Sequence, residues 1–271
     1  MQKAKVRVSG QMPEKVSVII PVLNEQKHIK NCVQSIQKDP SVLEIIAVDG
    51  GSADQTLSIL RNLKIQTISH LVQPERGGGR GGQIHSGLIK AKGDIVAVVH
   101  ADTFVKGNEF SNMIKVLKNN PSVIGGAVGS LFNLSGFRMR LIEYANDIRT
   151  ALSGISFGDQ IQFFRRLPVQ AQDIYPVIPL MEDVELALRL KRLGDLVYLF
   201  GQANVSSRRW EKYGNSNLIS IVVRFASYLW LRGHKNFSTH AMYCDYYNHT
   251  ESKERKWKPI SYQRVYQNLK K

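Results

Sequence analysis

The most informative stretch of this chain reads Asp94-Ile-Val-Ala-Val-Val-His-Ala-Asp-Thr103. Its mostly β-branched run, Ile95 to Val99, predicts a strand buried on both faces, as in a parallel sheet. In open α/β sheets, ligands bind beyond the carboxyl ends of the strands, where His100 and Asp102 stand. Strand side chains two residues apart point the same way, so the two side chains can face one ligand. The pair predicts a site for a divalent cation that carries a phosphate. The alternative is a turn-capping aspartate beside a histidine that is satisfied near the core.

Two earlier strands end in similar polar segments. Val16 to Ile20 leads into Pro21-Val-Leu-Asn-Glu25, and Leu43 to Val48 leads into Asp49-Gly-Gly-Ser-Ala-Asp-Gln-Thr56. Asn24 stands where a helix N-cap is expected, ahead of a predicted helix from Glu25 to Gln37. Strands and helices alternate in the first hundred residues and then give way to mixed structure, which predicts a nucleotide-binding half followed by an acceptor half.

A glycine-rich segment, Gly77-Gly-Gly-Arg-Gly-Gly82, precedes a helix expected from Gln83 to Lys90. It formally contains the dinucleotide fingerprint, but it follows the third strand instead of the first, so the match is weak. Its glycines allow close backbone approach, and Arg80 offers a fixed charge to phosphate oxygens. The alternative is a flexible surface loop.

The second half carries two more polar segments. Ser156-Phe-Gly-Asp-Gln160 precedes a short strand, and Glu182 and Asp183 open a helix that continues to Leu193. Acidic residues in a first helical turn also complement the helix dipole, so a purely structural role is the alternative. Phe137 to Leu152 predicts an amphipathic helix with basic positions at 138, 140 and 149.

Composition limits the partners. A net charge of +15 on 271 residues indicates an acidic partner, unless the basic surface is simply solvated. The two cysteines have no metal-type spacing and the first residues lack an apolar signal region, which favours a reducing cytosol. The apolar run from Leu218 to Leu231 is too short for a bilayer span and fits an interfacial or partner-facing helix.

Taken together, the chain resembles the family-2 glycosyltransferases, nucleotide-sugar enzymes with the GT-A fold. The resemblance covers about Val16 to Tyr213 and rests on Ile20-Pro-Val-Leu-Asn-Glu25, the segments Val48 to Thr56 and Gly93 to Thr103, and Met181-Glu-Asp-Val-Glu185. It is closest to a small subgroup that shares Gly158-Asp-Gln160, Pro179-Leu-Met-Glu-Asp-Val-Glu-Leu186 and Ser207-Arg-Arg-Trp210. It implies an α/β fold in which a mixed, mostly parallel central sheet is flanked by helices.

The resemblance also implies roles for individual residues. Asp183 matches the general base that deprotonates the acceptor hydroxyl in a single, inverting displacement, and Glu182 is its partner in the acidic pair. Asp102 matches the second acid of the D-x-D motif, which binds Mn²⁺ or Mg²⁺ on the diphosphate. His100 replaces the first acid, and an imidazole favours Mn²⁺ over Mg²⁺. The nucleotide pocket is expected to comprise Pro21, Asn24, Glu25, Asp49, Gly51, Arg80 and Asp102, with Asp49 accepting the N3–H of uracil. The acceptor site is expected to comprise Asp159, Gln160, Arg209 and Trp210.

These assignments predict three regions. Residues 1–15 form an N-terminal extension, residues 16–213 the GT-A domain, divided at 103/104 into nucleotide-binding and acceptor halves, and residues 214–271 a helical, basic and aromatic extension. The expected activity is transfer from a nucleoside-diphosphate sugar, with UDP favoured, to an unknown hydroxyl acceptor. We expect a cytoplasmic protein, with peripheral attachment to the inner face of the membrane or a homodimer through 218–231.

The sequence leaves three other functions as alternatives. A nucleotidyltransferase would carry a glycine-rich loop after the first strand, where this chain has Pro21-Val-Leu-Asn24. A basic nucleic-acid-binding protein would cluster its arginines and lysines, which are dispersed here, so no nucleic-acid partner is expected. A pseudoenzyme that binds the sugar nucleotide without transfer is favoured only by His100.

Overall fold

The computed structural model describes residues 14–71, 79–133, 136–208, 211, 215–234 and 237–251. Eight strands form one sheet in the order β3-β2-β1-β4-β7-β6-β8-β5. The strands are β1 (Val16–Val22), β2 (Val42–Asp49), β3 (Gln66–Ser69), β4 (Ile95–Val98), β5 (Thr103–Phe104), β6 (Val123–Phe132), β7 (Ile161–Arg165) and β8 (Asp195–Val205). The helices are α1 (Ile29–Ile36), α2 (Thr56–Asn62), α3 (Arg80–Lys90), α4 (Glu109–Asn119), α5 (Phe137–Ser153), α6 (Arg166–Ala171), α7 (Glu182–Leu190), α8 (Asn215–Leu231) and α9 (Thr239–Glu251).

The first half is a parallel sheet covered on both faces. β1 pairs in parallel with β2 and β4, and β2 pairs in parallel with β3. Along β4, Ile95 and Ala97 join one core cluster, whereas Val96 and Val98 join the cluster on the opposite face. The continuous apolar run is therefore explained by burial on both faces, as predicted from the sequence.

The second half mixes strand directions. β7 lies antiparallel between β4 and β6, and β6 pairs in parallel with β8. β8 runs beside β6 with an irregular register at two points. The two-residue strand β5, which sequence analysis missed, follows Asp102 and closes the sheet edge against β8.

The glycine-rich segment differs from the expectation. Helix α3 begins at Arg80, so Gly81 and Gly82 lie inside the helix instead of in a loop. A Cβ on Gly81 would lie 2.5 Å from the carbonyl oxygen of Ile178, and one on Gly82 would lie 2.6 Å from His70 Nε2. Gly81 thus permits close packing of α3 against the segment before α7, and Gly82 permits close packing against the residue that follows β3. This packing fixes Arg80 at the helix start.

The first helix also begins later than expected. α1 starts at Ile29, and Asn24 adopts a left-handed conformation with a φ of 55°. Its side-chain oxygen accepts a hydrogen bond from Ala53 N–H at 2.9 Å instead of capping a helix. Asparagine tolerates this conformation because its short polar side chain can bond locally.

Candidate active site

A cavity of about 410 Å³ opens beyond the carboxyl ends of β1 and β4. The chain runs outward from β1 through β2 to β3, and then returns to place β4 on the other side of β1. Such a reversal leaves a crevice at the strand ends, and ligands of open α/β sheets bind in that crevice. Seven of the predicted site residues line the cavity, namely Pro21, Glu25, Arg80, His100, Asp102, Asp159 and Asp183.

The strand-end residues His100 and Asp102 both face the cavity. The Asp102 carboxylate lies 3.3 Å from the Arg208 guanidinium, which also donates a 2.6 Å hydrogen bond to Glu25. A Cβ on Gly158 would lie 2.8 Å from His100 Cε1 and 3.2 Å from the Arg80 guanidinium nitrogens. The glycine therefore lets the imidazole and the guanidinium approach the same backbone segment.

The acidic pair at the start of α7 is held by Arg80. The Arg80 Nε–H donates to Glu182 Oε1, and an Arg80 terminal nitrogen lies 3.7 Å from Asp183 Oδ2. Consecutive residues of a helix point about 100° apart, so the two acids face different surroundings. Glu182 is 1% exposed, and burial raises the pKa of its carboxyl although Arg80 opposes this rise. Asp183 faces the cavity.

The position of Asp183 is fixed through its own backbone. Met181 takes a left-handed φ of 65° immediately before the helix. The Asp183 carbonyl accepts a 3.0 Å hydrogen bond from Gln162 Nε2 on β7, and its Oδ1 accepts the Val184 N–H at 2.8 Å. Oδ2 is the oxygen directed toward Arg80. The α7 start is thereby tied to the central sheet.

The polar segment that ends at Gln160 packs against α5. Asn146 donates a 3.5 Å hydrogen bond to Asp159 Oδ2, while buried Asp159 Oδ1 has no hydrogen-bond partner among the described residues. Burial raises the pKa of Asp159 to about 6, and the charge of Arg149 partly offsets the rise. Gln160 is buried and accepts hydrogen bonds from Thr150 and from the Phe157 backbone, so it shapes the segment without lining the cavity.

At the predicted uracil-binding end of the site, the Asp49 side chain is held by backbone N–H groups. Asp49 is 3% exposed, and its carboxylate accepts the Gly51 N–H at 3.0 Å and the Ser52 N–H at 3.2 Å. Gly51 has a φ of 104°, which a side chain rarely adopts. Asn24, Asp49 and Gly51 therefore shape the loops beside the cavity without lining it, whereas Pro21 and Glu25 lie on its wall. Arg209 and Trp210, the remaining predicted acceptor residues, lie outside the described residues.

The C-terminal helices contribute a wall that the sequence motifs did not indicate. Ile221, Arg224 and Phe225 from α8 and Tyr243 and Tyr246 from α9 line the cavity. Arg224 pairs with Asp245 at 3.0 Å and lies 5.0 Å above the Tyr246 ring. The sequence signals for this wall were the apolar run from Leu218 to Leu231 and the mixture of aromatic and basic residues near the C-terminus.

One acidic side chain anchors this wall to α7. Glu185 accepts a 2.6 Å hydrogen bond from the Tyr228 hydroxyl and lies 2.9 Å from the Arg232 guanidinium. Tyr228 lies in α8, and Arg232 is the residue directly after that helix. The helix that begins with the acidic pair is thus joined to the helix that closes the cavity.

The residues of the cavity fit a divalent cation that is held mainly by the phosphate oxygens of a bound substrate. Among the described residues, no group of three or more His, Cys, Asp or Glu side chains could enclose a metal ion. Asp102 and His100 offer one carboxylate and one imidazole on the cavity wall. Mg²⁺-like ions commonly take one or two protein ligands and complete their shell with substrate phosphates and water.

The protein-family model described as "Glycosyl transferase family 2" matches residues 17–174 of this sequence. The chain belongs to glycosyltransferase family 2. The family assignment and the α/β fold of the GT-A type, both expected from the sequence motifs, are confirmed. The narrower subgroup with the Gly158-Asp-Gln160 motif stays a prediction.

Three similar proteins illustrate the match. The undecaprenyl-phosphate 4-deoxy-4-formamido-L-arabinose transferase of Sodalis glossinidius is 28% identical over 167 residues, which cover 58% of this chain and 51% of that protein. The chain thus spans about half the length of this relative. The mannosyltransferase PcManGT from Pyrobaculum calidifontis, solved with GDP-Man and Mn²⁺, has a TM-score of 0.56 and 20% identity, covering 71% of this chain and 57% of that one. Glucosyl-3-phosphoglycerate synthase from Mycobacterium tuberculosis, solved with Mn²⁺, UDP and phosphoglyceric acid, has a TM-score of 0.50 and 20% identity, covering 71% and 69%.

Proposed function

We propose that the chain is an inverting glycosyltransferase, a hexosyltransferase-like enzyme that moves a sugar from a nucleoside-diphosphate sugar to an acceptor hydroxyl. The observation that carries this proposal is the meeting of Asp102, Asp183 and Arg80 in one cavity at the strand ends. These residues are far apart in sequence and supply the three functions that transfer needs: donor binding, proton removal and charge neutralisation. Family membership supports the same conclusion.

In the proposed reaction, Asp183 accepts the proton of the acceptor hydroxyl while the hydroxyl oxygen attacks the anomeric carbon. The bond between this carbon and the diphosphate breaks on the opposite face, so one displacement inverts the anomeric configuration. Arg80 lies beside Asp183 and can neutralise charge on the departing diphosphate. Glu182 fixes the Arg80 side chain and is a positioning residue in this scheme, because it is buried away from the cavity.

We assign Mn²⁺ or Mg²⁺ binding to Asp102, with His100 as the second candidate ligand. Such an ion would supply positive charge at the diphosphate. Two structural neighbours were solved with Mn²⁺, which supports a divalent ion in this fold. Arg208 already contacts Asp102, so it is placed to bind the same phosphate groups.

Uridine is the proposed base. Asp49 stands at the end of β2, where the family resemblance places the acceptor for the uracil N3–H. The two neighbours carry different nucleotides, GDP-Man in one and UDP in the other, so the fold alone does not choose between them. The residues of this chain have to be tested directly.

The acceptor side is assigned to Asp159, with Gln160 supporting its segment and with Arg209 and Trp210 nearby in sequence. The aromatic wall from α8 and α9 adds apolar surface, and Arg224 is the cation that it contributes among the described residues. The Sodalis relative is named for an undecaprenyl-phosphate substrate, and this combination of apolar surface and positive charge supports a lipid-linked phosphate as one acceptor class. A cytoplasmic enzyme at the inner face of the membrane is consistent with this class, with residues 218–231 either contributing to the attachment or forming a homodimer.

The test is calorimetric binding of UDP and of GDP, each with Mn²⁺, with Mg²⁺ and with EDTA. We expect UDP to bind more tightly than GDP and to lose affinity in EDTA. A matched control is Asp195→Asn, which removes an exposed acid away from the cavity. If neither nucleotide binds to the folded protein under any condition, the donor site is wrong. If UDP binds but no UDP-sugar is consumed with any acceptor, the pseudoenzyme becomes the better explanation.

A further inference from the structure

Helix α5 is built with its polar face toward the protein. Glu143 accepts a hydrogen bond from the Phe132 N–H, Asn146 contacts Asp159, Asp147 accepts the Tyr198 hydroxyl, and Thr150 donates to Gln160. These positions follow the helical spacing of three and four residues, so they lie on one face. Surface helices of globular proteins normally bury their apolar face and expose their polar face. The orientation of α5 is the reverse.

The apolar face of α5 consequently points outward. Its side chains are Phe137 (84% exposed), Leu141 (58%), Tyr144 (63%), Ile148 (40%) and Leu152 (84%). They are spaced by four, three, four and four residues, so they form a continuous stripe along a helix about 25 Å long. Isolated apolar residues on a surface are ordinary, but a contiguous apolar stripe marks an interaction surface.

We infer that this outer stripe of α5 docks the protein on an anionic lipid surface. Basic residues lie at both ends of the stripe. Arg138 and Arg140 are exposed in its first turn, and the Lys191 ammonium donates to the Ser153 carbonyl at its last residue. An apolar stripe with Phe, Leu and Tyr, flanked by cations, is the pattern of helices that lie in the plane of the membrane interface. The net charge of +15 adds attraction to anionic headgroups.

The alternatives fit this surface less well. No helix among the described residues is long and apolar enough to cross a membrane. A second copy of the chain is also a weaker occupant. Stable protein interfaces engage about 20–30 residues on each side, whereas the stripe offers five apolar side chains. Pairing two such helices would also bring like charges at their ends together.

Docking through α5 has a consequence for the cavity. The inner face of the same helix holds Asp159 through Asn146 and Gln160 through Thr150. The membrane surface would therefore lie on the acceptor side of the cavity and not on the nucleotide side. Lipid docking itself does not rest on the proposed function, because lipid binding requires neither nucleotide nor metal; the naming of the acceptor side does rest on it.

The test is vesicle flotation of the full chain without nucleotide or metal. Vesicles contain phosphatidylcholine with phosphatidylglycerol, or phosphatidylcholine alone. The variant combines Leu141→Gln, Ile148→Gln and Leu152→Gln. The matched control combines Leu43→Gln, Ile89→Gln and Leu167→Gln, which are similarly exposed as a set but lie on other elements. We expect the wild type and the control to bind the anionic vesicles and the α5 variant to lose binding by about tenfold or more.

Three results would overturn the inference. The first is a wild-type protein that binds neither vesicle. The second is an α5 variant that binds as well as the control. The third is a concentration-dependent dimer, seen by light scattering, that the α5 variant abolishes without any change in vesicle binding. Because all three substituted side chains face water, circular dichroism and the melting temperature of the variant should match those of the wild type.

Discussion

Replacing Asp159 with asparagine should change how the stability of the protein depends on pH. Burial raises the pKa of Asp159 from 3.8 to about 6 in the folded protein, and its Oδ1 accepts no hydrogen bond among the described residues. The folded state therefore holds a proton at this site more tightly than the unfolded state. The proton on Asp159 stabilises the folded state, and this stabilisation is lost as the pH rises from about 4 to about 6. Each pH unit in that interval corresponds to about 1.4 kcal/mol, so the wild type should lose about 2–3 kcal/mol there.

Asparagine cannot ionise, so Asp159→Asn should not show this loss. The assay is urea unfolding from pH 4 to pH 7.5 in EDTA, with the free energy of unfolding of the variant compared with that of the wild type at each pH. The free energy of unfolding of Asp159→Asn, relative to that of the wild type, should increase by about 2–3 kcal/mol between pH 4 and pH 6. The same difference for Asp195→Asn should not change with pH. A difference that stays constant, or that shrinks as the pH rises, would refute the argument that Asp159 is destabilised by burial.

Three further predictions concern the acids and Arg80. Asp183→Asn should reduce transfer at least about 1,000-fold because no group remains to accept the proton, while UDP affinity measured by calorimetry stays near that of the wild type; unchanged transfer would exclude Asp183 as the base. Asp102→Ala should weaken UDP binding in Mn²⁺ about tenfold or more and leave binding in EDTA unchanged, and equal affinities in both conditions would remove Asp102 from the metal site. Arg80→Gln should lower the free energy of unfolding by about 1–3 kcal/mol because it leaves the buried Glu182 carboxylate without its cation. Adding Glu182→Gln should recover part of that loss, and a double variant less stable than Arg80→Gln would argue against this pairing.

The first half of the chain was largely predictable because its geometry follows from strand direction. Continuous apolar runs such as Ile95 to Val99 occur where both faces are buried, and parallel strands place their polar ends at one edge. The rule located His100 and Asp102 without any knowledge of packing.

The second half of the chain was less predictable because contacts between distant segments determine its structure. The periodicity of α5 predicted a helix over Phe137 to Leu152, but periodicity does not say which face is buried. Burial of its polar face depends on partners such as Tyr198 and Gln160, which lie on other elements. Likewise, no local pattern places Arg224 or Tyr246 beside the strand ends, because α8 reaches the cavity through its contact with Glu185 on α7.

The arginines of the cavity connect these two halves. Glu25, Asp102, Asp159 and Asp183 all face the same space, and four carboxylates would repel an anionic diphosphate. Arg208 lies against the first two, Arg80 against the last, and the charge of Arg149 acts on Asp159. The strand-end rule locates acids but says nothing about the cations, which come from a helix start, from α5 and from the segment after β8. A net charge of +15 indicated an acidic ligand without indicating where it binds. The folded chain brings part of that charge to the acids, and this pairing makes an acid-lined cavity compatible with a phosphate donor.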